Sequence, residues 1–244
     1  MLPVVYWGFG IVFAVLAVTH VVLTVRIVAR LLSPVAPLLT DDEAPPALVI
    51  LCLRGGDPHL HRTLARLSEQ DYPNYRVRIM LDSPGDEAGE YVRAALGASP
   101  PETFEVRTLE HRETTCTYKM SAILEATREV APGTAVVALL DGDSVLHTSW
   151  LRELATPIVR GEAEVVTGNR WYIPDRATIP NFVRYWWSSS ALPLMYVLQF
   201  PFGGTMAVRP DLLQDERLRD RIRHACSEDT TIGHFACEQR GRLQ

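Results

Sequence analysis

The residues of this chain best suited to chemistry are carboxylates that end apolar runs. "ALLDGDS" (Ala138 to Ser144) closes on Asp141 and Asp143, one glycine apart. Carboxylates this close repel each other, so either a cation or a hydrogen-bonded turn has to compensate them. "RIMLDS" ends in the same way on Asp82, and "SEDTT" sets Glu228 beside Asp229. Asp-Gly is a favoured hairpin turn, which is the plainer account of the pair. Against it, Trp150, Leu151, Leu154 and Ile158 follow at helical spacing, with Ser149 as the expected N-cap. An EF-hand loop fails because Val145 holds its fifth position and Arg152 its twelfth, where a bidentate glutamate belongs. What remains, beside the acidic turn, is a strand-end D-x-D in which two carboxylates share a hard divalent cation that also holds phosphate oxygens.

The elements that must position these residues alternate. "ALVILCL" (Ala47 to Leu53) and "AVVALL" (Ala135 to Leu140) are wholly apolar and short, as strands buried on both faces should be. "YRVRIMLDS" puts Val77, Ile79 and Leu81 on one face and Arg76 and Arg78 on the other, and "FEVRTLE" (Phe104 to Glu110) reads as a further strand. Between them Leu60, Leu64 and Leu67 recur at helical spacing, Glu87 to Gly97 forms a polar helical stretch, and Met120, Ile123, Leu124 and Thr127 share a helix face. Strand and helix in alternation predict an α/β fold, a mostly parallel sheet with helices on both faces. Ligands of such sheets sit at the carboxyl ends of the strands, where Asp82, Asp141 and Asp143 all fall.

Ahead of this domain, no fixed charge occurs from Leu2 to Val25. That length of helix, about 36 Å, crosses roughly 30 Å of hydrocarbon with some tilt. A cleaved leader would need a basic start and a shorter apolar region. Residues 1–32 therefore read as a transmembrane anchor, with His20 as a neutral group near the helix end. Arg26 and Arg30 put the N-terminus outside and the rest in the cytosol, at a bacterial-type inner membrane. Residues 33–46, proline-rich and acidic, read as a linker, and 47–244 as the α/β domain. A net charge of −5 gives no footprint for nucleic acid. Four scattered cysteines without a CxxC suggest free thiols in a reducing compartment. His224, Cys226, His234 and Cys237 raise a zinc alternative, although their spacing matches no zinc pattern. Asn181 to Gly204, with Trp186 and Trp187 adjacent, reads either as buried core or as a surface at a membrane interface.

Five segments together carry a resemblance. "CLRGGDPHLHRTLARLSEQDYPNYRVRIMLDSPGDEA", then Lys119 in "CTYKMSAI", "LLDGDS", "FGGTMAVR" and "SEDTTIG" resemble, in order and spacing, the family-2 glycosyltransferases of the GT-A fold. Within that family the chain looks most like the ceramide-glucosyltransferase-like membrane branch, over about Ala47 to Gly241. The resemblance implies that Asp82 recognises the nucleotide of a sugar donor, a UDP-sugar by expectation, and that Lys119 lies near the donor cleft. It implies that Asp141 and Asp143 hold Mn²⁺ or Mg²⁺ on the diphosphate, and that Asp229, with Glu228 beside it, is the catalytic base. "FGGTMAVR" would border the site of a lipid or saccharide acceptor. The chemistry asks for these residue types: a cation to offset charge on the leaving phosphate, and a carboxylate to take the acceptor's proton in a single inverting displacement. Glu228 and Asp229 also suit the N-terminal turn of a helix. Two alternatives stand beside this reading, a processive polysaccharide synthase of the same fold and a non-catalytic nucleotide-binding membrane scaffold. The branch usually carries Q/R-x-x-R-W and further membrane helices after the acidic pair. Here "ACEQRGRLQ" looks like the approach to another strand, so the chain is expected to be a fragment of a longer enzyme.

Overall fold

A computed structural model of the chain describes residues 2–33, 36–169, 171–174 and 176–239. They divide into two compact units, one of Met1–Pro37 with Trp171–Phe200 and one of Leu38–Arg170 with Pro201–Gln244.

The second unit is the α/β fold. Its strands are β1 (Ala47–Leu53), β2 (Tyr75–Leu81), β3 (Phe104–Thr108), β4 (Val136–Leu140), β5 (Val165–Thr167) and β6 (Thr205–Val208), ordered β3-β2-β1-β4-β6-β5. The first four run parallel, while β6 is antiparallel to both β4 and β5. Helices α2 (Leu60–Ser68), α3 (Ala88–Leu96) and α5 (Trp150–Val159) bury their apolar faces on one side of the sheet with Val49, Leu51 and Ala138. Helices α4 (Tyr118–Ala126), α7 (Pro210–Gln214), α8 (Glu216–Arg223) and α9 (Glu228–Glu238) pack on the other side with Ile50, Met80 and Leu139. Consecutive residues of β1 and β4 thus feed opposite layers, which is why both strands are apolar throughout.

Several local expectations shift. Arg78 faces no water: it is 8% exposed, with Nε on Glu105 at 2.8 Å and Nη1 donating to the carbonyls of Ala126 and Glu129. A guanidinium can enter the core because these acceptors replace its hydration. Ser149 does not cap α5, since its backbone is already helical (φ −85°, ψ 0°) and its hydroxyl donates to Glu153 at 2.7 Å. Residues 236–238 belong to helix α9 with Gln239 as its C-cap, and the strand expected after them falls on residues 240–244, outside the described residues. Within 33–46, Leu39 is buried and Arg152 donates to the Leu39 carbonyl and to Asp41, fastening this stretch to the α/β unit.

The first unit contains α1 (Leu2–Leu31) and α6 (Ile179–Leu198), which pack against each other. Tyr6–Arg30 is long and apolar enough to cross a membrane, with mean hydropathy 2.4, and is the one such helix among the described residues. The aromatic stretch is not a core segment at its N-terminal half, for Phe182 to Trp187 are all exposed.

Candidate active site

The carboxyl edge of the parallel strands gathers the acidic residues. Asp82 follows β2 directly and its amide donates to the Leu53 carbonyl at the end of β1. Asp141 follows β4, and its amide donates to Gly204 at 3.1 Å, just before β6. Because β6 runs antiparallel, with Thr205 opposite Leu140, the Gly203–Gly204 turn lies at this same edge. Gly203 in turn donates its amide to Asp229 Oδ2 at 3.1 Å, which brings the first turn of α9 to the edge as well. The turn requires glycine at 203, since a Cβ there would stand 3.0 Å from Asp229 Oδ2 and would collide with Glu228. Gly142 between the two aspartates packs closely as well: a Cβ would lie 2.7 Å from Leu53 Cδ2, so that side chain would have to move.

Lys119, on the first turn of α4, joins two of these groups. Its Nζ donates to Asp141 Oδ1 at 2.6 Å and forms a very short contact with Glu228 Oε1. Burial alone would depress the Lys119 ammonium, but the charges of Glu228 and Asp141 outweigh it and raise its pKa above the ordinary lysine value. Glu228 is buried and faces this ammonium. Asp229 is half-buried, its Oδ1 accepting from the Thr230 amide at 2.6 Å and from the Ser227 hydroxyl. Both carboxylates sit in the first turn of α9, so the helix-terminus role and a role at the edge coexist.

Asp82 differs. Its side chain is 12% exposed, flanked by Arg54 Nε at 3.2 Å and Arg112 Nη1 at 3.7 Å. Its Oδ1 is buried and accepts no hydrogen bond among the described residues. A buried acceptor without a protein donor is costly unless water or a ligand supplies one. Tyr118 staples the neighbouring strand ends, its hydroxyl 2.7 Å from the carbonyls of both Leu53 and Met80. Burial pushes the Cys52 thiol up to about 12, leaving it protonated and no nucleophile.

The metal-binding expectation fits the donor set present. Among the described residues no three His, Cys, Asp or Glu side chains converge as ligands, which also leaves the zinc alternative without support. Mg²⁺ and Mn²⁺ are taken by hard oxygens, and Mg²⁺ commonly needs only one or two carboxylates beside phosphates and water. Asp141 and Asp143 supply such a pair, with Asp143 exposed.

Sequence reasoning passed over Arg54, Arg112 and Thr63. The signal for Arg54 was its position directly after a buried strand. Thr63 Oγ1 lies 2.9 Å from the carbonyls of both Gly142 and Ser144 and holds the D-x-D loop, a contact across 79 residues that no local pattern announces. A cavity of about 880 Å³ opens beside β3, lined by Pro84, Arg107, Leu109, His111, Glu125 and Arg128 among others. Its lining includes none of Asp141, Asp143 and Asp229.

This fold and edge define an α/β domain of the GT-A type. The profile of the family described as "Glycosyltransferase like family 2" matches residues 44–243, and the chain belongs to that family. Among solved structures it is similar to a mannosyltransferase from Pyrobaculum calidifontis in complex with GDP-Man and Mn²⁺, at TM-score 0.64 and 19% identity. That match covers 92% of this chain and 61% of the mannosyltransferase, so the chain spans less than two thirds of its length. Glucosyl-3-phosphoglycerate synthase from Mycobacterium tuberculosis, solved with Mn²⁺, UDP and glucosyl-3-phosphoglycerate, matches at TM-score 0.50 and 13% identity, over 80% of this chain and 75% of that one. At TM-score 0.50 and 11% identity, 4-diphosphocytidyl-2C-methyl-D-erythritol synthase from Anaerococcus prevotii matches over 84% and 87%. No curated protein sequence matches the chain.

Proposed function

We propose that the chain is the membrane-anchored donor-binding part of an inverting glycosyltransferase that takes a sugar from a nucleotide-sugar, a UDP-sugar by preference. The observation that carries this reading is one continuous network at the sheet edge. Asp141 is bridged by Lys119 to Glu228, and Asp229 is tied through Gly203 to the turn that holds Asp141. Asp82, whose buried Oδ1 accepts no hydrogen bond among the described residues, would accept an N–H of the donor's base. Arg54 and Arg112 offer cationic donors beside it.

In this reading Asp141 and Asp143 hold Mn²⁺ or Mg²⁺, which when bound offsets the charge that grows on the leaving diphosphate. Asp229 accepts the proton of the acceptor hydroxyl as its oxygen bonds to the anomeric carbon. The electron pair of the breaking carbon–oxygen bond leaves with the nucleoside diphosphate, and configuration inverts in one step. Glu228 serves as the counter-charge of Lys119, and the Gly203 amide orients Asp229. Helix α1 tethers the enzyme, with Arg26 and Arg30 favouring a cytosolic α/β unit, and the acceptor is a lipid or saccharide hydroxyl.

The test measures UDP binding by calorimetry with Mn²⁺, and then donor turnover by release of UDP. Asp82→Asn should weaken UDP binding, and chelation or Asp143→Ala should abolish turnover. Turnover that survives both would sink the reading, and binding without turnover in the intact protein would favour a scaffold.

A further inference from the structure

We propose that α6 is a second membrane-binding element, an interfacial helix whose aromatic half docks on an anionic lipid surface. Six successive residues, Phe182 to Trp187, are exposed, and Arg184 is the only charged one among them. Trp186 is 63% exposed, Trp187 75%, and Ile179 at the helix start 81%. Water is a poor neighbour for such a stretch, because exposed aromatic and aliphatic side chains surround the half-helix on every side but that of Arg184.

Two features say what covers it. The first is continuity with α1. The two helices pack together in one unit, with Leu23 and Ile27 half-buried on α1, and Leu192 half-buried and Pro193 buried on α6. The exposed face of α6 therefore extends the apolar surface of the helix long enough to span a bilayer. The polar side chains of this unit suit that solvent: the hydroxyls of Thr24, Ser189 and Ser190 each donate to a backbone carbonyl three or four residues back.

The second feature is charge. Residues 1–37 and 171–200 carry Arg26, Arg30, Arg176 and Arg184 against Asp175, a net +3. With −5 on the whole chain, the α/β unit holds −8, so positive charge is segregated with the apolar surface. Arg184 lies over the Tyr172 ring, 4.5 Å from its centroid. Tryptophan and tyrosine favour the headgroup level, and arginine binds anionic headgroups there. An arginine in mid-stretch makes α6 lie along the interface and not cross it.

The proposal rests on the reading of α1 as a span, and tryptophan fluorescence separates the two. The full chain is reconstituted into phosphatidylcholine vesicles, with and without phosphatidylglycerol, whose acyl chains are brominated near the carboxyl or near the methyl end. W7F/W171F keeps Trp186 and Trp187, with Trp150, 5% exposed, as a shielded background. This variant should lose about half its emission to bromines near the headgroup, less to deep ones, and resist aqueous acrylamide. Phosphatidylglycerol should strengthen the quenching, and R176Q/R184Q should remove that gain. W171F/W186F/W187F instead reports Trp7, and its quenching judges α1 alone. Quenched Trp7 with unquenched, acrylamide-accessible Trp186 and Trp187 overturns the proposal. So does a detergent-solubilised dimer that W186S/W187S dissociates, for then a second copy covers the face.

Discussion

The two compact units of this chain solve opposite solvation problems with similar residues. In the α/β unit Leu51, Ile79 and Leu140 are at most 1% exposed, and a charged group that enters the interior, such as Arg78, is hydrogen-bonded there. In the α1–α6 unit the large apolar side chains point outward: Phe13 is 67% exposed and Phe182 equally so. An interior that excludes water buries apolar groups between two layers of helix, and an apolar face left exposed is the arrangement that the lipid surroundings proposed for α1 and α6 would accept. The difference extends to charge: Asp82, Asp141, Asp143, Glu228 and Asp229 all belong to the α/β unit, while the α1–α6 unit has Asp175 as its one carboxylate side chain.

The comparison can be broken at the active edge first. Asp143 is exposed, so Asp143→Ala should leave thermal unfolding unchanged while donor turnover falls about 10³-fold, roughly 4 kcal/mol in the barrier. A parallel loss of melting temperature would make the residue a structural one. Core substitution comes next. Leu51→Ala should cost about 2 to 5 kcal/mol of α/β-unit stability, whereas Ile179→Ala in α6 should change it by no more than about 0.5 kcal/mol, both read by denaturation in detergent. Equal effects would erase the distinction between the units. Arg78→Met should cost about 2 to 4 kcal/mol, since Glu105 and the carbonyls of Ala126 and Glu129 lose their donor together.

The smallest effect is a pH dependence. Burial alone would raise the Glu105 carboxyl, but hydrogen bonds and charge from Arg78 and Arg107 outweigh it and hold its pKa below the ordinary glutamate value. A depressed carboxyl contributes stability that is present above its unfolded pKa, about 4.3, and is lost as pH falls through the folded one. Glu105→Gln should therefore be less stable than the parent near neutrality, by under about 1 kcal/mol for a pair this exposed to solvent, with the gap closing below about pH 4. A gap that widens in acid would contradict the Arg78–Glu105 account.

Legibility along the chain followed the range of the interactions. The strands β1 and β4 were readable because burial on both faces writes a continuous apolar run, and α2 because Leu60, Leu64 and Leu67 repeat once per turn. Asp82 and Asp141 could be placed at a ligand edge because a strand's end is a local property. Alternation in β2 puts Arg78 on the face opposite Val77 and Ile79, and only the arrival of Glu105 and the end of α4 gives its guanidinium partners inside. Ser149 carried a capping residue's chemistry, yet Glu153 captured its hydroxyl.

Composition, periodicity and strand-end carboxylates were enough to define an α/β sheet following an apolar helix in the sequence, with acidic residues at its carboxyl edge. Each of these is written by neighbours a few residues apart. The fold alone supplied the rest: the antiparallel β6 that carries Gly203 to Asp229, the ammonium of Lys119 between Asp141 and Glu228, and the packing of α6 on α1. Those contacts join residues 22 to 109 positions apart in the two network bridges, and such pairings exist only once the chain has closed its loops.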